Sequence, residues 1–181
     1  MRAILLFIGC GMILSMAGCL AEQRQSSWVQ SRGGLVQDDR LARAEAALEM
    51  LGQPADRAIS VRVLDSDVVC AYGWPNGQLF VTRALVDLLD EPELAAALAH
   101  EMGHLLNDGR MHSVVSLRGC DASMDIEAGA DATGTQLLAG RNLSRDVMIQ
   151  MLEKVGSSPS INSDCRRALV RRIQLLRARN F

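Results

Sequence analysis

Apolar residues recur every three or four positions along most of the chain, and this spacing predicts amphipathic helices. Residues 94–105 carry an apolar stripe on each of two sides, so the helix that contains them is expected to be buried on both. Capping residues and terminal glycines delimit five predicted helices, at residues 38–51, 90–107, 123–139, 144–155 and 163–179.

Three stretches between the first two helices are rich in β-branched residues, which predicts strands. Residues 59–64 alternate as in a half-buried antiparallel strand. The turn sequence Pro75-Asn76-Gly77 separates residues 68–72 from residues 79–81 and indicates a hairpin. We therefore predict one α+β domain over residues 38–181, with a small antiparallel sheet on one side of a helical body.

The composition allows one hydrophobic core and argues against nucleic-acid binding. Of the 181 residues, 49% are hydrophobic, which suits one domain and leaves no length for a separate substrate domain. The net charge of −2 provides no overall basic footprint for nucleic acid. The last predicted helix is locally basic. We interpret its arginines as a solvated basic face, and contact with lipid or nucleic acid is the alternative. These arginines are Arg166, Arg167, Arg171, Arg172, Arg177 and Arg179.

The start of the chain has the pattern of an export signal. Arg2 precedes an uncharged stretch over residues 3–21, and Met16-Ala17-Gly18-Cys19 resembles a bacterial lipobox. We expect residues 1–18 to be removed, Cys19 to carry the lipid that anchors the protein to the membrane, and residues 19–37 to form a linker. The protein would then face the periplasm from the outer membrane. An uncleaved membrane anchor is the alternative.

The segment His100-Glu101-Met102-Gly103-His104 carries the strongest chemical signal. On a helix, this spacing places both imidazoles on one face, where they can bind one zinc ion, with Glu101 beside them. The alternative is a pair of core histidines. Zinc needs a third protein ligand, and the best candidate is Glu127, which lies one helical turn before Asp131. Asp131 then accepts a hydrogen bond from a ligand histidine, unless both carboxylates belong to a solvated acidic stripe.

Small residues dominate the helix that carries Glu127. Its interior glycines, Gly129 and Gly134, each cost about 1 kcal/mol of helix stability relative to alanine. Close packing against the helix of His100 would explain this composition.

Together, these blocks resemble the HtpX-like and CAAX prenyl endopeptidase family of zinc metallopeptidases, over the third of the chain from Trp74 to Gly134. The resemblance implies a zincin-like fold in which one Zn²⁺ per chain is held by the three residues named above and Glu101 is the catalytic base. It also implies a role for Asp131 as the hydrogen-bond partner of a ligand histidine. The family has an edge strand that receives the substrate backbone, and this strand corresponds here to Gln78, Leu79, Phe80 and Val81.

The chain departs from its relatives near the C-terminus. Relatives commonly have a His-Pro pair before an Arg-Ile helix, and the histidine helps to stabilise the oxyanion, but this chain has no histidine after His112. Counting back from Arg172-Ile173 places Arg166 near that position, where its guanidinium could stabilise negative charge. A surface arginine is the alternative.

Three cysteines remain besides Cys10 of the leader and the lipid-bearing Cys19. In an oxidising periplasm we predict a disulfide between Cys120 and Cys165, whereas Cys70 is interpreted as a small buried hydrophobe. Both Cys120 and His112 lie in the segment between the two zinc helices. The alternative is that one of them serves as an inhibitory fourth zinc ligand.

The predicted function is that of a zinc endopeptidase of the bacterial envelope, acting on extended or misfolded polypeptide segments. A zinc-stabilised lipoprotein that serves as a chaperone or assembly factor is the competing function. A lipoprotein with a fortuitous HExxH segment is a third interpretation. The oligomeric state does not follow from the sequence.

Overall fold

The computed structural model describes residues 22–54, 57–107, 115–116 and 123–178. Within these ranges the helices are α1 (residues 22–30), α2 (Asp39–Leu51), α3 (Arg83–Leu88), α4 (Glu91–Asn107), α5 (Met124–Ala139), α6 (Arg145–Ser157) and α7 (Ser163–Ala178). The strands are β1 (Leu35–Val36), β2 (Ser60–Leu64), β3 (Ala71–Gly73), β4 (Gln78–Thr82) and β5 (Val115–Ser116). The predicted α+β class is confirmed.

All five predicted helices are present, with ends within two residues of the predicted limits. The side chains of Asp38, Ser123 and Ser144 accept hydrogen bonds from amides in the first turns of α2, α5 and α6. Gly156 does not end α6, which continues to Ser157. Helices α1 and α3 were not predicted.

The sheet is mixed, which corrects the prediction of an antiparallel one. Its strand order is β1-β2-β4-β3-β5, and β2 runs parallel to β4, with Val61 beside Leu79 and Val63 beside Val81. The other neighbouring pairs are antiparallel, including the predicted β3–β4 hairpin. Alternation along β2 indicates which face is buried but does not determine the direction of its neighbour.

The outer face of the sheet is covered by α1, so residues 22–37 are more than part of the predicted linker. Trp28 of α1 packs edge-on against Tyr72, Trp74 and Phe80, with ring centroids 5.1–5.4 Å apart. Just after α1, Leu35 pairs with β2 and extends the sheet. The aromatic contacts bring α1 and β1 into the folded domain.

Helix α4 is the centre of the helical body, and every residue from Glu93 to Leu105 is buried. It contacts α2 on one side and α5 on another. A Cβ atom added to Gly103 would lie 2.4 Å from the carbonyl oxygen of Ala130, and one added to Gly134 would lie 2.9 Å from the backbone of Ala99. These glycines allow the close approach of α4 and α5 that the small-residue pattern predicted.

Two further predictions concern cysteines. Cys70 is a buried thiol, as predicted. Cys165 forms a disulfide whose partner lies outside the described residues, as do Cys19, Cys120 and His112, so the pairing of Cys165 with Cys120 stays a prediction. Among the described helices, none combines the length and the apolar character needed to span a bilayer.

Candidate metal centre

Two helices bring the predicted ligands to one point. His100 and His104 lie one turn apart on α4, and Glu127 reaches them from the first turn of α5. The two Nε2 atoms are 3.1 Å apart, and the Glu127 carboxylate oxygens lie 3.4 Å from Nε2 of His100 and 3.5 Å from Nε2 of His104. All three side chains are buried. The structure therefore assembles the predicted triad.

The spacing of these three atoms fits a zinc ion. Tetrahedral zinc with bonds of about 2.0–2.2 Å to nitrogen and oxygen places its ligand atoms about 3.3–3.6 Å apart. The observed separations of 3.1, 3.4 and 3.5 Å are close to this range. Within the described residues, His100, His104 and Glu127 form the one group of histidine, cysteine and carboxylate side chains with a geometry that can hold a metal.

Asp131 lies where the sequence predicted it. Its Oδ1 atom is 2.9 Å from Nδ1 of His100, and both side chains are buried. Because two lone pairs at this distance would repel, the proton lies on Nδ1 and is donated to the carboxylate. This hydrogen bond turns Nε2 of His100 toward the triad and fixes the orientation of the ring.

A buried arginine, which was not predicted from the sequence to belong to the site, completes it. Arg172 of α7 is 1% exposed, with Nη1 2.9 Å from Oε2 of Glu127 and Nη2 2.6 Å from Oδ1 of Asp131. Its Nη2 atom also lies 3.1 Å from Nδ1 of His100. The sequence did contain a signal for this residue, the Arg172-Ile173 pair. That pair served only as the reference from which the position of Arg166 was counted.

Arg166 does not reach the triad, which corrects its assignment as the oxyanion candidate. Its guanidinium donates to the backbone carbonyls of Ser158 and Ile161 beyond the end of α6. Six residues of helix separate Arg166 from Arg172, or about 9 Å along the axis of α7. Arg166 therefore lies on the helix that reaches the site, but about two turns before the residue that contacts it.

The charges of the site are mutually compensated. Burial and the Arg172 charge lower the pKa of His100, but hydrogen bonds to Asp131 and Glu127 outweigh them and raise the pKa to about 9. Burial and the charge of His100 lower the pKa of His104 to about 4. Burial raises the pKa values of Glu127 and Asp131, but the surrounding positive groups reverse this and hold both below their usual range. The two carboxylates are thus ionised at neutral pH, as a cation site requires.

Among the described residues of the site, Glu127 and Asp131 are ion-paired with Arg172, whereas Glu101 is a carboxyl group without such a pair. Both of its carboxylate oxygens are buried, and among the described residues no donor meets hydrogen-bond geometry with them, although the backbone of Gly73 lies close by. Burial raises the pKa of Glu101 to about 8, although the charge of His100 and the backbone of Gly73 act in the opposite direction. A buried carboxyl without a partner is costly for the fold, which is typical of a group kept for function.

The strand predicted to receive substrate is an internal strand, which corrects that assignment. Residues Gln78, Leu79, Phe80 and Val81 belong to β4, which is hydrogen bonded to β2 on one side and to β3 on the other. The parallel β2–β4 pairing occupies the edge that the sequence analysis took to be open. On its other side β4 is followed by β3, and β3 is the strand that contacts α4.

Comparison with known protein families agrees with this site. The family model of peptidase family M48 matches residues 36–124, which include both histidines and Glu101. The match ends before Glu127, so the assignment of the third ligand depends on the structure. No curated protein shows significant similarity to the chain.

Proposed function

We propose that the chain, which matches the peptidase family M48 model over residues 36–124 and assembles a His-His-Glu triad, is a zinc metallopeptidase that cleaves extended or misfolded protein segments in the bacterial envelope. The convergence of His100, His104 and Glu127 beside a buried, unpartnered Glu101 is the observation that carries this proposal.

Each side chain of the site has a distinct role in peptide hydrolysis. Zinc, when bound by His100, His104 and Glu127, supplies Lewis acidity that activates water and polarises the scissile carbonyl. Glu101, whose ionised form is favoured by the bound zinc, accepts the proton of the attacking water and later donates it to the leaving amine. Asp131 holds the His100 ring in position through Nδ1.

The position of strand β3 bears on the substrate. The domain presents a mixed sheet whose strand β3 packs on α4, next to the triad. An extended peptide can bind such a strand through main-chain hydrogen bonds, which a folded substrate already uses internally. The proposed substrate class is therefore unfolded or locally extended polypeptide.

The envelope location rests on the leader sequence alone. The lipobox-like segment that ends at Cys19 supports processing and lipid attachment, and several acyl chains on one residue anchor a protein stably. Replacing Cys19 with alanine is expected to release soluble protein. Continued retention of the variant in the membrane fraction would contradict this location.

The competing function, a zinc-stabilised chaperone or assembly factor, accounts less well for Glu101. A purely structural zinc site gains nothing from a buried carboxyl group that has no partner. The structure contains this group directly beside the two histidine ligands, which favours hydrolysis.

The test combines metal analysis with cleavage of unfolded casein. The wild type and the Glu101→Gln variant are both expected to bind one zinc per chain, because the substitution does not touch a ligand. The wild type should cleave casein, and the variant should lose at least about a hundredfold of this activity. Equal cleavage by both proteins would point to a contaminating protease, and absence of zinc from the wild type would contradict the metal site.

A further inference from the structure

The outer edge of β3 lies at the metal centre, and another segment of the same chain occupies it. Strand β3 packs on α4, and the backbone of Gly73 lies beside Glu101. Strand β5 pairs antiparallel with β3, with Ser116 opposite Tyr72 and Val115 opposite Gly73, and it also lies against α4. The backbone of β5 therefore runs along the sheet edge nearest the catalytic residues.

This edge is the one that an extended substrate requires. The opposite edge of β3 is already paired with β4, so only the edge held by β5 offers main-chain donors and acceptors next to Glu101. Residues of an antiparallel strand face their two neighbours in turn, and the bonds from Trp74 N–H to Gln78 and from Thr82 N–H to Cys70 show that Tyr72 faces β4. A substrate backbone and β5 would therefore compete for the main-chain groups of Gly73. They cannot bind there at the same time.

The burial of the triad is a second, independent observation. His100, Glu101 and Glu127 are 0% exposed, and His104 is 3% exposed. A peptide carbonyl cannot contact these groups while they are covered to this extent. The arrangement is therefore that of a closed site, and part of what lies against α4 must move before cleavage.

We propose that β5 holds the substrate-binding edge of β3 as an internal surrogate strand, so that the enzyme is latent until an extended polypeptide displaces it. This inference rests on the proposed peptidase function and adds its regulation. It requires only main-chain recognition, so the displacing ligand is any unfolded segment able to form a strand.

The kinetic test removes the main-chain pairing of β5. Proline lacks the N–H group and fixes φ, so the double variant Val115→Pro/Ser116→Pro cannot maintain the pairing with β3. The matched control is Leu35→Pro/Val36→Pro in β1, another two-residue strand, at the opposite edge of the sheet. The β5 variant should lower KM for unfolded casein about tenfold, which corresponds to about 1.4 kcal/mol, while the β1 variant leaves KM unchanged. An unchanged or higher KM in a folded, zinc-containing β5 variant would overturn the inference.

A second measurement avoids the proline variants, in case they fold poorly. Zinc-loaded Glu101→Gln protein is saturated with a casein peptide, and hydrogen exchange is followed at the four paired residues. We expect the amide of Val115, which pairs with Gly73, to lose protection because the peptide replaces β5, while the amide of Tyr72, which faces β4, keeps its protection. Retained protection at Val115 with peptide bound would refute the displacement.

Different results would refute the latency and the peptidase function. Cleavage by the wild type without any response of β5 would refute the latency and leave the peptidase function intact. If zinc-loaded wild type cleaves no casein and Glu101→Gln binds no peptide, the proposed function fails and the latency fails with it. Cleavage by the β5 proline variant alone would support both.

Discussion

The buried ion pairs of Arg172 make the fold depend on a single side chain of the site. Replacing Arg172 with methionine fills most of the same space but removes the positive charge that contacts Glu127 and Asp131 at 2.9 and 2.6 Å. Removing one partner of a buried ion pair costs about 3–5 kcal/mol, because the remaining charge stays buried without compensation. Whole domains are stable by only about 5–15 kcal/mol, so this loss is a large fraction of the total.

Thermal unfolding of the metal-free protein measures this effect. For a domain of this size, each kcal/mol shifts the midpoint by about 2–4 °C, so Arg172→Met should lower Tm by about 6–20 °C. Zinc supplies positive charge to Glu127, and the difference from wild type should therefore be smaller in the zinc-loaded proteins. Arg171→Met is the control, because Arg171 is exposed on the same helix. A Tm for Arg172→Met equal to that of Arg171→Met would refute the reasoning.

Three further predictions follow from the helix contacts and the metal ligands. Asp131→Asn should weaken zinc binding about 10–100-fold by calorimetry, because the acceptor of the His100 proton loses its charge; unchanged affinity would count against its orienting role. Gly103→Ala should destabilise the protein and lower its zinc content, since the new methyl group meets the Ala130 carbonyl. In the control Gly129→Ala the methyl group meets only a side-chain atom at 3.5 Å, so this variant should be neutral or stabilised by up to about 1 kcal/mol. Urea unfolding compares the two variants. Chelation should lower Tm and zinc should restore it, and a Tm insensitive to both would contradict coupling of metal to fold.

The local parts of the site were predictable because they depend on helical spacing. His100 and His104 share a face by their separation of four residues, and the same rule relates Glu127 to Asp131. The cost of Gly129 and Gly134 in a helix indicated close packing, and Gly134 does lie at the contact of α4 with α5. Gly103, which was not singled out, lies at the same contact, whereas a methyl group on Gly129 would meet only a side-chain atom at 3.5 Å. These features are encoded within one or two turns of the chain.

The features that were missed depend on contacts between distant segments. The parallel neighbour of β2 is set by how the hairpin folds back, so β4 was taken for an edge strand although it is internal. Arg172 was counted with the solvated arginines of α7, because helical spacing alone does not show which of them faces α5. Trp28 lies in a stretch expected to be a linker, and its contacts with the sheet involve residues more than forty positions away.

The central claim is that one zinc ion is held by two residues of α4 and one of α5. Anomalous diffraction at the zinc edge, from crystals of the zinc-loaded protein, locates the ion directly. We predict one strong peak about 2.0–2.2 Å from Nε2 of His100, Nε2 of His104 and a carboxylate oxygen of Glu127. A fully occupied peak elsewhere, or a peak at the histidines with Glu127 turned away, would contradict the assignment.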